Sequence, residues 1–238
     1  MRKVNKFVFP ALIALLLLSV HAAIAAPAAA NEKEKEKVLR RLDEAAKNFR
    51  STSADFQFDS VETDPIHEDD VQKGTVYYER NKAGAFQMAA HIREFNGKPA
   101  PKIYAYSGGA VKLYEPMQDQ LTIYSKAAQY ESWFMLGFGA SGKDLEQKWE
   151  ITYVGTETLD SVKTEELEMV PKDPAIRKNL PKVDMWVDPE RGVSLKQILH
   201  FGPSEYKVCV YFNISVNQPL SDSVFALKTT SKTTIINR

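Results

Sequence analysis

Hydrophobic positions along the chain recur first at helical spacing and then, almost without pause, at every second residue. Val38, Leu42, Ala45 and Phe49 follow one another at intervals of four, three and four, with Leu39 and Ala46 beside them. That is one apolar stripe on an α-helix. Arg40, Arg41, Asp43, Glu44 and Lys47 cover the other side. The pattern predicts a helix starting at Glu32, with Asn31 as candidate N-cap, and ending near Arg50. Pairs of opposite charge three apart, Glu32 with Lys35 and Glu34 with Lys37, support its first turns. Residues 27–30 read as a linker.

From residue 56 the period is two. Phe56 and Phe58 alternate with Gln57 and Asp59, and an acidic, Pro-containing loop is expected at 64–70 before Val76 and Tyr78. Phe86, Met88, Ala90 and Ile92 alternate with Gln87, His91 and Arg93. Ser107-Gly108-Gly109 separates the runs 103–106 and 111–114, as in a hairpin. Shorter alternations continue the series through Leu121, Trp149, Leu167, Val183 and Val193. The longest is Tyr206, Val208, Val210, Phe212, Ile214 and Val216, which predicts one apolar strand face. Glu205, Lys207, Cys209, Tyr211, Asn213 and Ser215 would form the polar one. Phe225 and Leu227 read as a closing strand. About ten strands joined by short turns predict a mainly β (α+β) fold, an incomplete, strongly curved antiparallel barrel behind the amphipathic helix.

One apolar segment fits neither period. Residues 127–138 gather Trp133, Phe134, Met135, Leu136 and Phe138, with Gly137, Gly139 and Gly142 around and after them. No second series of helices is available to cover the apolar face of the sheet. The segment is therefore read as a helical lid hinged on those glycines; an ordinary buried helix is the alternative.

Composition narrows the class. The 238 residues balance 31 Lys and Arg against 31 Asp and Glu, which argues against a nucleic-acid binder. With 44% hydrophobic and 11% aromatic residues the chain can build a core. One cysteine, Cys209, excludes an internal disulfide framework. At the amino terminus Arg2, Lys3 and Lys6 precede the apolar run 7–20 and the small residues Ala23-Ile24-Ala25. These are the three parts of a secretory signal peptide. The expected organisation is a signal peptide at 1–25, cleaved near Ala25, then linker and helix start at 26–35, and a single domain at 36–238. Export is expected, with the periplasm as preferred compartment, and no later stretch is apolar enough to cross a membrane.

Motifs of chemistry are present only in outline. Residues 137–142 match the spacing of a dinucleotide fingerprint without the strand and helix it requires. With Lys143 the stretch approaches a P-loop, but Asp144 stands where a Ser or Thr hydroxyl belongs. No G-x-S-x-G elbow occurs, and His67, His91 and His200 lie at no zinc spacing from one another. The expectation is a binding protein with no catalytic residues, no metal and no cofactor.

The order of the motifs resembles the LolA-type outer-membrane lipoprotein carriers over roughly residues 36–228. The strand Gly74-Thr75-Val76-Tyr77-Tyr78-Glu79-Arg80 is similar to the family's Gly-apolar strand, with Asn81 where the family has proline. Ser107-Gly108 followed by Leu113-Tyr114-Glu115-Pro116 resembles its hairpin, with Lys112 at a position where an aromatic is common. Phe134-Met135-Leu136 falls at its lid helix. Asp188-Pro189 with Gly192-Val193, and Asn217, Leu220 and Phe225-Ala226-Leu227, resemble its closing strands. The tail 229–238 lacks the family's Pro-Gly ending.

This resemblance implies a lid over an apolar, lipid-binding cavity lined by Leu42, Phe49, Phe86, Met88, Phe134 and Met135, with Arg80 as the lid latch. It implies a monomeric periplasmic carrier of acylated lipoprotein cargo between an inner-membrane release complex and an outer-membrane acceptor. An RseB-like envelope lipid-sensing or interaction module on the same fold, a carrier of another lipid and, last, an enzyme acting on lipid are the alternatives.

Overall fold

A computed structural model describes residues 22–65, 67–80 and 84–238. Most of the expected signal peptide lies outside the described residues. The first helix, α1, runs Ala22–Asn48. It therefore begins ahead of Glu32, and the residues expected to be a linker, together with Asn31, are helical. Their alanines carry the highest helix propensity of any residue, and this prevails over the single Pro27. Val38, Leu39 and Leu42 are buried on the predicted stripe.

Six strands follow as a meander: β1 Ser51–Glu62, β2 Glu68–Arg80, β3 Phe86–Phe95, β4 Lys98–Ser107, β5 Ala110–Glu115 and β6 Gln120–Tyr124. The acidic residues 68–70, expected in a loop, belong to β2 and pair with β1 as far as Glu62 opposite Glu68. A second meander contains β7 Trp149–Leu159, β8 Val162–Pro171, β9 Lys182–Asp188, β10 Val193–His200 and β11 Glu205–Val216. Antiparallel pairing of β1 with β11 joins the two meanders into one sheet.

Twelve strands stand in the order β12-β6-β5-β4-β3-β2-β1-β11-β10-β9-β8-β7, where β12 is Thr234–Asn237. The sheet does not close into a barrel. The expected closing strand at Phe225 and Leu227 is absent; a 3-10 turn, Asp222–Val224, ends there. The tail supplies β12 instead, the single parallel pairing among the described residues, against β6. Asp119 clasps it. Its carboxylate accepts hydrogen bonds from the hydroxyls of Thr233 at 2.6 Å and Thr230 at 3.0 Å.

The sheet order decides where the connection from β6 to β7 must run. These strands are consecutive in sequence, yet nine others stand between them. Residues 125–148 therefore cross the sheet, and they form the 3-10 turn Ala128–Tyr130 and the short helices α2, Glu131–Phe134, and α3, Gly142–Lys148. A further short helix, α4, Pro174–Arg177, joins β8 to β9. The expected lid is thus the forced crossover between two meanders.

The longest predicted strand corrects the expected facing. In β11 the buried residues are Cys209 and Tyr211, from the face read as polar, while Phe212 is 40% exposed. A bulge accounts for this. The register against β1 shifts between Ser53 and Asp55, and opposite it Asn213 has φ +51°. One extra residue reverses which side chains point inward, so Ile214 and Val216 pack against the core beyond it. Asn213 Nδ2 holds the bulge by donating to Asp55 Oδ2 at 2.9 Å. That bond is the largest influence holding the Asp55 carboxyl below its ordinary range. Asn213→Ala loses the bond and places an alanine at positive φ, where strain costs about 1–3 kcal/mol. Asn213→Gly loses the bond alone. Urea unfolding is expected to rank wild type above Asn213→Gly above Asn213→Ala.

Candidate functional site

Stacked rings seat the crossover on the sheet. Phe138, fully buried, lies on Tyr78 of β2 with centroids 4.3 Å apart and planes at 8°, and meets Tyr211 of β11 edge-on at 4.8 Å. The series continues from Tyr78 to Phe86, Tyr106 and Phe134 at centroid separations of 6.2, 6.1 and 5.1 Å. Aromatic pairs of this kind add about 0.5–1.5 kcal/mol each beyond the area they bury.

Hydrogen bonds sew the same segment to β10. The Ser194 N–H donates to Gly137 O at 2.7 Å, and Gln197 Nε2 donates to Leu136 O at 2.8 Å. Arg80 Nη2 donates to Gly139 O at 3.2 Å. The hydroxyl of Tyr106 donates to Glu131, and burial followed by that bond raises its phenol pKa. Gly137 and Gly139 serve close approach more than swing. Both have positive φ, and a Cβ would come within 2.5 Å of Ser194 Cβ in one case and of the Phe49 ring in the other. Asp144, which breaks the P-loop pattern, has a local task. Its N–H bonds to Ser141 Oγ at 3.1 Å, and that side chain caps α3.

The crossover covers only part of the inner face. Beside it a cavity of about 650 Å³ remains, walled by β1, β2, β3, β10, β11 and by Trp133, Phe134 and Leu136 of the crossover. Its apolar wall includes Phe58, Met88, Trp133, Phe134, Leu199 and Phe201. Towards the ends of β1, β2 and β11 the lining turns to charge, with Glu62, Glu68, Asp70, Glu205 and Lys207. Such a volume lies within the ~300–1,000 Å³ of small-molecule sites. Tyr78, Cys209 and Tyr211 also reach it. Burial pushes both phenols up, and the Cys209 thiol up to about 12, so Cys209 stays protonated near neutral pH.

Of the six cavity residues expected, Met88 and Phe134 line this cavity. The other four belong elsewhere. Leu42 and Phe49 are core, because α1 packs against α3 and β7, away from the cavity wall. Phe86 is enclosed between Tyr78 and Tyr106. Met135 faces a separate recess of about 470 Å³ that it shares with Arg80, Leu145 and Trp149. Phe58, Trp133, Leu199 and the acidic residues were missed, although strand parity running outward from Phe56 and Tyr78 points to most of them. His91 and His200 reach other partners, the Val224 carbonyl at 2.7 Å and Asp184 Oδ2 at 2.8 Å.

No family model matches the chain, and no curated protein matches it. Among solved structures, a crystal structure of MucB aligns with 82% of this chain at 14% identity and a TM-score of 0.52; the chain spans 64% of MucB. An uncharacterized conserved protein from Thermus thermophilus aligns with 86% of this chain and 99% of its own, at 9% identity and a TM-score of 0.55. A LolA superfamily protein from Nitrosomonas europaea aligns with 81% of this chain and 97% of its own, at 14% identity and a TM-score of 0.43. The first two likenesses show the fold alone, and the mainly β, unclosed antiparallel sheet with an N-terminal helix is the fold class the sequence predicted.

The seating of the crossover can be tested by loosening it. Arg80→Leu removes the donor from Gly139 O, at a cost of about 1.5–3 kcal/mol for a hydrogen bond to a charged group. Phe138→Ala removes the stacked ring, at about 3–5 kcal/mol. Both variants are expected to bind more of an apolar fluorescent dye than wild type, with Arg80→Leu keeping a cooperative unfolding transition. Unchanged dye binding in Arg80→Leu would remove the latch role from Arg80.

Proposed function

We propose that this protein is a periplasmic carrier that takes acyl chains of lipoproteins into the cavity beside the crossover and moves them from the inner to the outer membrane. The observation that carries this reading is the 650 Å³ space walled by Phe58, Met88, Trp133, Phe134 and Leu199, open to solvent at a charged end. Burial of each methylene is worth about 0.8 kcal/mol. An acyl chain therefore gains from such a wall what it loses by leaving a bilayer, and it can still be released to an acceptor of similar polarity. The fold supports the reading at a coarser level, as that of lipoprotein-carrier-like proteins.

No chemistry on the cargo is part of the proposal. The task is binding, with the crossover as a plug that yields to a larger occupant by a shift between closed and open populations. An inner-membrane release complex and an outer-membrane acceptor are its proposed partners. The likeness to MucB favours one second reading, an envelope module that works through a protein partner, since MucB itself is seen in complex with MucA.

Trp133 provides the test. It lines the cavity, while Trp149 and Trp186 do not. A brominated monoacylglycerol, whose head is uncharged, is expected to quench the intrinsic fluorescence saturably. Trp133→Phe should abolish most of the quenching while leaving binding intact by calorimetry. Met88→Trp, which narrows the cavity at its apolar wall, should weaken binding severalfold. Absence of saturable quenching in wild type would overturn the carrier reading. Acyl binding without delivery to acceptor membranes, together with a stable complex with an envelope protein, would favour the second.

A further inference from the structure

The cavity has two chemically distinct ends, and its charged end specifies the head of the occupant. Glu68, Glu62 and Glu205 stand at one register level on three neighbouring strands, Glu62 being the direct partner of both others. Like charges placed directly opposite each other across strands are destabilising. No bonded partner relieves this row: among the described residues none of the three side chains makes an ion pair or a hydrogen bond. One step inward, Asp70 and Lys207 flank Ser60 in the same way.

Strand parity puts all of these side chains on the inner face. Residues 58, 60 and 62 alternate inward on β1, as do 68 and 70 in step with Tyr78 on β2, and 205 and 207 in step with Cys209 on β11. The apolar wall therefore runs directly into a mouth carrying four carboxylates and one ammonium. A water-facing strand end would ordinarily mix its charges to avoid the repulsion. An unrelieved row at the entrance of an apolar cavity is complementary to a cation anchored by an apolar chain.

Resting on the carrier reading, we infer that the preferred occupant is a cationic amphiphile, an aliphatic chain ending in an amine or ammonium head. The chain lies against Met88, Phe134 and Leu199, and the head sits among Glu62, Glu68 and Glu205. Anionic amphiphiles are disfavoured by the same row.

Calorimetric titration with dodecyltrimethylammonium, dodecyl maltoside and dodecyl sulfate, each below its micellar concentration, tests this with one chain and three heads. At low ionic strength the cation is expected to bind at least tenfold more tightly than the maltoside, and the sulfate more weakly than either. The preference should shrink towards unity at 0.5 M salt, where exposed charges are screened within about a few ångströms. It should also disappear in Glu62→Gln/Glu68→Gln/Glu205→Gln, whose retained cooperative urea unfolding transition confirms that the variant is folded. The salt series on wild type stands independently of that variant. Equal binding of the three heads, or a preference that survives the triple substitution, would overturn the inference and leave the carrier reading intact. No binding of any head would overturn both.

Discussion

The fold depends on a constraint of connection. Two antiparallel meanders are joined edge to edge through β1 and β11, so the end of the first and the start of the second lie far apart in one open sheet. The chain has to cross that sheet between them. An open sheet with an apolar inner face needs a second layer, and α1 covers the region near β7 and α3, reaching as far as Glu165 and Glu190 through Arg41. The crossover supplies the rest, held by the Phe138 ring on Tyr78 and by backbone bonds to β10. Where it fails to cover, a cavity remains. Architecture, plug and cavity thus follow from one topological fact.

The balance at the plug is between firm seating and displacement. Stacked rings and several hydrogen bonds keep the apolar face out of water when nothing is bound. Each contact is modest by itself, so under the proposed function an incoming chain that buries comparable area would replace them. The cavity also opens at its charged end, so a small occupant can enter without moving the crossover at all. On the proposed carrier reading, both modes of entry would use one wall, formed by Met88, Trp133 and Phe134.

Much of the fold was legible in the sequence, for physical reasons that also mark the failures. The helical stripe of Val38, Leu39 and Leu42 and the alternation around Phe56, Tyr78 and Met88 are local patterns, and they survive folding. The inward face of β11 was misread because one extra residue at Asn213 reverses parity, and a bulge leaves no mark in hydropathy. The ending was misread because Phe225 and Leu227 are apolar residues at strand spacing, whereas β12 is the four-residue segment Thr234–Asn237, too short to show a period, which pairs with β6 at the edge of the first meander. At the site, the lid segment was visible as an apolar run. Which of its side chains face a void and which face the core depends on the crossover path. That path separates Phe134 at the cavity from Met135 at another recess. The acidic mouth was invisible because Glu62, Glu68 and Glu205 become neighbours only once the register is known.

The central claim is that the space beside the crossover is where an aliphatic chain resides. A monoacylglycerol carrying a diazirine near the end of its chain, photolysed with the protein and mapped by peptide mass spectrometry, addresses it most directly. The account predicts adducts concentrated on Phe58, Met88, Trp133, Phe134 and Leu199. Adducts spread over exposed apolar residues such as Met117, Val154 and Ile235, with none at the cavity wall, would contradict it.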